Sequence, residues 1–303
     1  MRLLLTGCFA YTEEQFHQIQ SLGYDIHFMQ QESGPLPVEA HSFDAVVCNG
    51  LFLSHPIEDF TQLKFIQLTS AGLDRVPMDE IERRQIKLFN ARGVYGIPMA
   101  EWAVFRILEH YKQGCYFRKE QMDGHWIKHR GLREIVGTKI AILGAGNVGT
   151  EVAKRFHAFE ADITGFDVCT THKPMCFDRI KPISSLKEYI GDFDIIIITA
   201  PLLPSTYHLV SKEMLMKLKE EAIVVNIARG GLIDEPALCD FLQKRPDVFA
   251  ALDVFESEPL DPASPLWKLS NVAISPHNSF VSNGNNKRMF DVILRNLRNF
   301  ITQ

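Results

Sequence analysis

The stretch 140-IAILGAGNVGTEVAKRF-156 decides how this chain is built. Four apolar residues, Ile140 to Leu143, run straight into Gly144, Gly146 and Gly149, and a helical pattern follows. G-x-G-x-x-G alone is a weak motif, but here a strand-like run precedes it and a helix-like run succeeds it. The next strand-like run, DITGFDV, carries Asp167, 18 residues past Gly149. Each part has a physical reason. Gly144 permits a tight turn, Gly146 lets the backbone approach a pyrophosphate, and Gly149 lets helix and strand pack closely. The helix start offers unpaired N–H groups to the phosphates. Asp167 would accept from the adenosine ribose hydroxyls and repel a 2′-phosphate, which favours NAD over NADP. Lys173 and His172 lie close enough in sequence to meet a phosphate.

Outward from this motif, strand-like and helix-like runs alternate, as in α/β proteins with parallel sheets. RLLLTG, DIHFM, FDAVVCN, LKFIQLTS and IKLFNA form a first set. KIAILGAG, DITGFDV, FDIIIITA, AIVVNIA, VFAALDV and NVAISP form a second. The IIII run at 195–198 reads as a strand buried on both faces. A helix is expected from Pro98 to about Asp123, and another in the last segment, where Phe290, Ile293, Leu294, Leu297 and Ile301 share one face. The expected domains are 1–95 with 281–303, and 96–280 between them.

The chain has 303 residues, is 46% hydrophobic and carries a net charge of −5. That balance lacks the electrostatic footprint of a nucleic-acid or membrane-surface protein. No apolar run reaches the roughly 18 residues of a membrane span. The six cysteines are scattered, at 8, 48, 115, 169, 176 and 239, and read as reduced thiols of a cytoplasmic protein. Leu5-Thr6-Gly7-Cys8 resembles a lipoprotein cleavage site, but the preceding apolar run suits a first strand. Cys169, His172 and Cys176 lack a fourth ligand at metal-site spacing. His125 and His129, four apart, could face one way on a helix but have no third ligand nearby; they read as surface or dimer-edge residues.

A second stretch, 224-VVNIARGGLID-234, places Arg229 at the end of a core strand. A guanidinium stays charged, and burying it without an anion is costly. Asp253 to Pro259 and Ser275-Pro276-His277 follow the next two strands. In a doubly wound sheet, ligands bind outside the carboxyl ends of the strands. An Arg, an acid and a His at three such ends suggest a substrate with a carboxylate for the Arg and a carbonyl for the His.

The ordered series GAGNVG, NIARGGLIDEPAL, ALDVFESEPL and SPHNSF resembles the NAD-dependent D-isomer-specific 2-hydroxyacid dehydrogenase family. The likeness runs from about residue 65 to 280. It implies an α/β fold of two doubly wound parallel-sheet domains, with a Rossmann-type cofactor domain inserted in a flavodoxin-like substrate domain. It also implies a catalytic trio. Arg229 would hold the carboxylate of a small 2-keto acid or 2-hydroxy acid and polarise its carbonyl. His277 would be the acid and base, and Glu258 would orient it and favour its protonated form. Glu256 is the nearby competitor, but the family's glutamate directly precedes the proline. Further implied cofactor contacts are Asn147, Val148, Ala200, Pro201, Thr206, Ala228, Asp253 and Met99. Backbone N–H groups of the loop Ser70, Ala71, Gly72 and Leu73 would bind the substrate carboxylate. The 98–123 region would meet the second copy of a homodimer.

The chain departs from the family at Asn278-Ser279-Phe280, where small apolar residues are usual. Tyr95, Leu51 and Phe52 are candidates for the substrate side pocket. Two other functions share the pattern: an NAD-gated corepressor-like interaction protein, and a phosphite-type dehydrogenase with the same trio. Formate dehydrogenases place Gln where Glu258 stands.

Overall fold

The computed structural model describes residues 1–171 and 173–302. The chain divides into two compact units: Met1–Tyr95 together with the chain from Ser282 onward, and Gly96–Val281.

The first unit starts with β1 (Arg2–Thr6), α1 (Glu13–Gln20) and β2 (Asp25–Met29), then β3 (Ala45–Cys48), β4 (Phe65–Leu68), α2 (Met78–Arg83) and β5 (Lys87–Phe89). The strand order is β2-β1-β3-β4-β5, with every pairing parallel. This is the flavodoxin-like order. Apolar runs feed both faces. Leu3, Leu5, Val47 and Phe65 enter one core, and Leu4, Val46 and Ile66 enter the other with Phe43 and Phe60. Helix α1 is fixed by a capping box: Gln15 N–H donates to Thr12 Oγ1 (3.2 Å), and Thr12 N–H donates to Gln15 Oε1 (2.9 Å).

The second unit opens with α3 (Gly96–Tyr111) and α4 (Gly114–Met122). The single helix expected over 98–123 is therefore two. Gln113 sits at φ +55°, in the left-handed region, and interrupts the run. Next come β6 (Lys139–Leu143), α5 (Asn147–His157), β7 (Asp162–Asp167), β8 (Arg179–Pro182), α6 (Leu186–Tyr189) and β9 (Ile195–Ile198). The unit finishes with α7 (Lys212–Leu215), β10 (Ile223–Asn226), α8 (Glu235–Lys244), β11 (Phe249–Leu252) and β12 (Val272–Ile274). The sheet order is β12-β11-β10-β9-β6-β7-β8, again parallel throughout. It is the doubly wound dinucleotide-binding order with one further strand, and the order reverses between β6 and β9.

All four isoleucines of β9 are fully buried, two facing each core. At about 1.5–3 kcal/mol per buried large side chain, this strand anchors the unit. Strand β8, RIKP, is absent from the sequence-based strand set because its charges and terminal proline mask it. An edge strand tolerates both, since one side needs no partner. Residues 125–129 follow α4 without helix, so His125 and His129 share no helix face. His125 Nδ1 lies 3.0 Å from Glu120 Oε2, and Gly131 N–H donates to His129 Nδ1 at 3.2 Å.

The chain then forms α9 (Asn285–Ile301), which belongs to the first unit. Met289, Phe290, Ile293 and Leu297 bury against β1, β3 and β4 residues, while Leu294 and Ile301 are partly buried beside them. Its placement is fixed by Tyr24 Oη–H donating to Leu297 O at 2.8 Å and by Asn296 Nδ2 donating to Gln67 Oε1 at 2.7 Å.

Candidate active site

The site is built where β6 and β9 diverge. Gly144 directly follows β6 with φ +102°, and a Cβ there would lie 2.7 Å from Ala200 N, just past β9. Glycine is thus required twice, by the turn and by the neighbouring loop. A Cβ on Gly149 would sit 2.0 Å from Gly144 O, so the first turn of α5 presses on the glycine loop. Gly146 differs: a Cβ there meets nothing within 4 Å. It is also the N-cap of α5 and offers no side-chain cap. The N–H groups of Asn147, Val148 and Gly149 open this helix and lack intrahelical acceptors. The loop therefore leaves an open, N–H-lined cradle of the kind that takes a pyrophosphate.

Asp167 closes the other side. Its Oδ2 accepts from Ala145 N–H (2.6 Å) and its Oδ1 from Cys169 N–H (3.0 Å). The carboxylate is thereby held at the β7 end, over the glycine loop. Lys173 Nζ donates to Asp178 O at 3.1 Å, and His172 lies outside the described residues. Among the described residues no cluster of three or more His, Cys, Asp or Glu can hold a metal.

Of the other cofactor candidates, Ala200 and Ala228 are buried and Pro201 is exposed. Met99 is partly buried on α3. Thr206 is buried, and its hydroxyl works inside its own loop: it donates to Pro201 O (2.7 Å) and accepts from Leu203 N–H (2.8 Å). Asp253 is fully buried, just after β11. Its Oδ1 accepts from Ser275 Oγ (2.5 Å) and Asn278 N–H (2.8 Å), and its Oδ2 from Ser279 N–H (2.9 Å). The visible work of Asp253 is to hold the loop that carries His277.

That loop is strained. His277 has φ +49°, a region L-residues seldom occupy, at a cost of about 1–3 kcal/mol. Its N–H donates to Asp253 O (2.7 Å) and Ser275 O (3.1 Å), which holds the geometry. The imidazole Nδ1 lies 2.8 Å from Glu258 Oε2. Glu258 Oε1 accepts from Phe255 N–H at 3.1 Å, so the carboxylate is steered from both ends. With Nδ1 donating to a carboxylate, Nε2 is the ring atom left to exchange a proton with a substrate. Phe280 meets the same imidazole edge-on, ring centroids 5.8 Å apart.

Arg229 follows β10, and Nη1 donates to Ala228 O at 2.8 Å. Its loop fits tightly against the glutamate segment, since a Cβ on Gly230 would lie 1.8 Å from Phe255 C. Strands β10, β11 and β12 are adjacent, with Asn226 paired to Leu252 and Leu252 to Ile274. Arg229, Glu258 and His277 thus leave one edge of one sheet from three neighbouring strands. In the first unit, the loop after β4 is shaped by Ser70 Oγ–H donating to Gly72 O (3.0 Å) and Asn90 Nδ2 donating to Ala71 O (2.7 Å). Leu73 is exposed.

Residues 104–279, more than half the chain, match the model of the D-isomer specific 2-hydroxyacid dehydrogenase, NAD binding domain. The chain belongs to this family. Among its relatives is a glyoxylate reductase of Thermofilum pendens, 32% identical over 243 residues, covering 78% of this chain and 71% of the relative. A D-3-phosphoglycerate dehydrogenase of Methanocaldococcus jannaschii is 32% identical over 223 residues, which is 73% of this chain but 42% of that longer protein. The crystal structure of a D-isomer specific 2-hydroxyacid dehydrogenase family protein from Aeromonas salmonicida superposes with TM-score 0.83 at 26% identity, over 99% of this chain and 95% of that one. The protein is an NAD-dependent D-2-hydroxyacid dehydrogenase with an NAD(P) cofactor, a small hydroxy or keto acid substrate, and two parallel-sheet domains.

The dehydrogenase also contains site neighbours that sequence reading passed over. Thr199 Oγ1 donates to Gly144 O at 2.7 Å and clamps the glycine turn to the β9 end. Glu256 does not compete for His277. It points to His208, whose Nε2 is 2.7 Å from Glu256 Oε1. A polar residue directly after a buried strand was the available signal for Thr199. For His208 there was none, since its partner lies 48 positions away.

Proposed function

We propose that the protein catalyses reversible NAD-linked reduction of a small 2-keto acid to a D-2-hydroxy acid. The observation that carries this reading is the His277–Glu258 pair at 2.8 Å on the sheet edge that also carries Arg229. When bound, the nicotinamide supplies or accepts the hydride. Gly146, Asn147, Val148 and Gly149 would hold its pyrophosphate, and Asp167 its adenosine ribose. Arg229 binds the substrate carboxylate and polarises the carbonyl. His277 donates the Nε2 proton to the carbonyl oxygen in reduction and takes it back in oxidation. Glu258 accepts from Nδ1 and keeps the ring oriented.

The finer assignments follow the same chemistry. Asp167 disfavours a 2′-phosphate, so NAD is preferred to NADP. Residues 96–280 form the cofactor domain, and 1–95 with 281–303 the substrate domain, where Ser70–Leu73 offers backbone N–H groups to a carboxylate. The enzyme is cytoplasmic. It pairs as a homodimer through the 98–123 region, where Phe105 (51% exposed) and Met122 (82%) turn apolar surface to solvent, with Trp126 (97%) just beyond. Among the described residues no helix is long and apolar enough to cross a membrane.

The test is NADH oxidation against a panel of 2-keto acids: glyoxylate, hydroxypyruvate, pyruvate and branched-chain keto acids. Arg229→Ala should lower kcat/KM by about 10²–10³-fold, the worth of a bidentate charge-assisted contact. Tight NADH binding with no turnover of any keto acid, or of phosphite with NAD, would overturn the reading and favour an NAD-gated binding protein.

A further inference from the structure

A second histidine–glutamate pair lies beside the first and shares its segment. Glu256 Oε1 is 2.7 Å from His208 Nε2, and two residues on Glu258 Oε2 is 2.8 Å from His277 Nδ1. The Glu256 link is built from several directions. Glu256 N–H donates to Glu235 Oε2 (2.9 Å), and Glu235 N–H donates back to Glu256 Oε1 (3.3 Å), tying the segment to the start of α8. His208 is itself held. Its backbone sits at φ +51°, its N–H donates to Gly231 O (2.8 Å), and its ring stacks on Tyr207 with centroids 3.9 Å apart. Gly231 belongs to the turn that follows Arg229, and Gly230 of that turn presses on the Phe255 backbone. Phe255 N–H then donates to Glu258. One connected set of contacts therefore joins His208, the Arg229 turn and the Glu258 carboxylate.

We infer that His208 is a positioning residue: through Glu256 it fixes residues 255–258, and so sets the angle at which Glu258 meets His277. The inference rests on the proposed role of Glu258. A left-handed histidine is a strained choice, and here the strain aims the ring at Glu256.

The experiment combines turnover with the ¹⁵N signals of the His277 imidazole. His208→Ala and Glu256→Ala should each lower kcat for keto-acid reduction about 10- to 100-fold with the KM for NADH unchanged, as expected when a reacting group is misaligned. Both should move the His277 Nδ1 resonance towards that of Glu258→Gln. His208→Gln, which keeps a donor for Glu256, should recover most of the rate. His208→Ala combined with Glu258→Gln should be no slower than Glu258→Gln alone, because both lesions act on one link. An unchanged His277 resonance in folded His208→Ala or Glu256→Ala protein, or losses that multiply in the double variant, would reduce His208 to a structural brace and overturn the inference. If His208→Ala does not fold, Glu256→Ala reads the same link. The imidazole signals decide the matter even if no keto acid is turned over, so the two readings fail separately.

Discussion

Asp253→Asn is the sharpest perturbation of the catalytic loop. The native carboxylate accepts three hydrogen bonds, two at Oδ1 and one at Oδ2, inside a fully buried site. An asparagine with its oxygen at the Oδ1 position keeps the bonds from Ser275 and Asn278. Its amide nitrogen then faces the Ser279 N–H, donor against donor. A bond to a charged acceptor is worth about 1.5–3 kcal/mol, and the stranded N–H adds its own desolvation cost. Local opening of the 275–279 loop should become easier by about 2 kcal/mol, or roughly thirty-fold in the opening equilibrium. Amide hydrogen exchange measures this directly. The Ser279 amide should exchange about thirty-fold faster, while strand amides of β6 and β9 keep their rates. Because His277 rides on the same loop at φ +49°, turnover should fall as well. If Ser279 exchange stays within two-fold of wild type, the buried carboxylate is not what holds the loop.

Gly146→Ala should leave thermal stability nearly untouched, since its Cβ meets nothing, yet raise the NADH Kd at least ten-fold by filling the cradle; unchanged affinity in a fluorescence titration would remove the phosphate from that position. Gly149→Ala should instead destabilise the unfilled protein, because its Cβ would fall 2.0 Å from Gly144 O, and differential scanning calorimetry separates the two. His110 gives a pH signature. Burial, and then the Arg133 charge, lower its proton affinity below the ordinary value, and its ring stacks on Phe249 at 4.1 Å. The unfolded chain takes the proton first as pH falls below about 6.5, so this contribution to stability is present above that pH and is lost as pH falls through the lower folded value. His110→Gln should flatten that part of the urea-midpoint profile; an unchanged slope refutes the assignment. Trp126→Glu with Phe105→Glu should yield monomers in sedimentation velocity, and a persistent dimer would place the interface elsewhere.

The sheets were legible because both faces of their central strands are buried, which leaves uninterrupted apolar runs such as Ile195–Ile198. The glycine loop was legible because steric need restricts residue type at Gly144 and Gly149. The rest failed for equally physical reasons. Strand β8 sits at an edge, where composition is unconstrained. The break after α3 needs only one left-handed residue, Gln113, and a glutamine carries no such signal. Arg229 and His277 could be placed at strand ends from sequence, but hydrogen-bond partners could not. Glu256 and Glu258 are two positions apart and chemically identical, and only three-dimensional position sends one to His208 and the other to His277. The buried hold of Asp253 on residues 275–279 is invisible for the same reason: it depends on where β12 ends beside β11.

The nested chain path has a consequence for synthesis on the ribosome. The face of the first sheet formed by Leu3, Leu5, Val47 and Phe65 is covered by α9, which begins at Asn285. Between Tyr95 and Ser282 the whole second unit must be made. At roughly 5–20 residues per second, that interval lasts on the order of 10–40 s. For that time a strongly apolar parallel sheet waits without its last helix, whereas the unit that interrupts it has all its strands by Ile274, before α9 begins. The later-made half of the enzyme is free to mature first, and the apolar face of the amino-terminal half stays open to aggregation until its closing helix emerges.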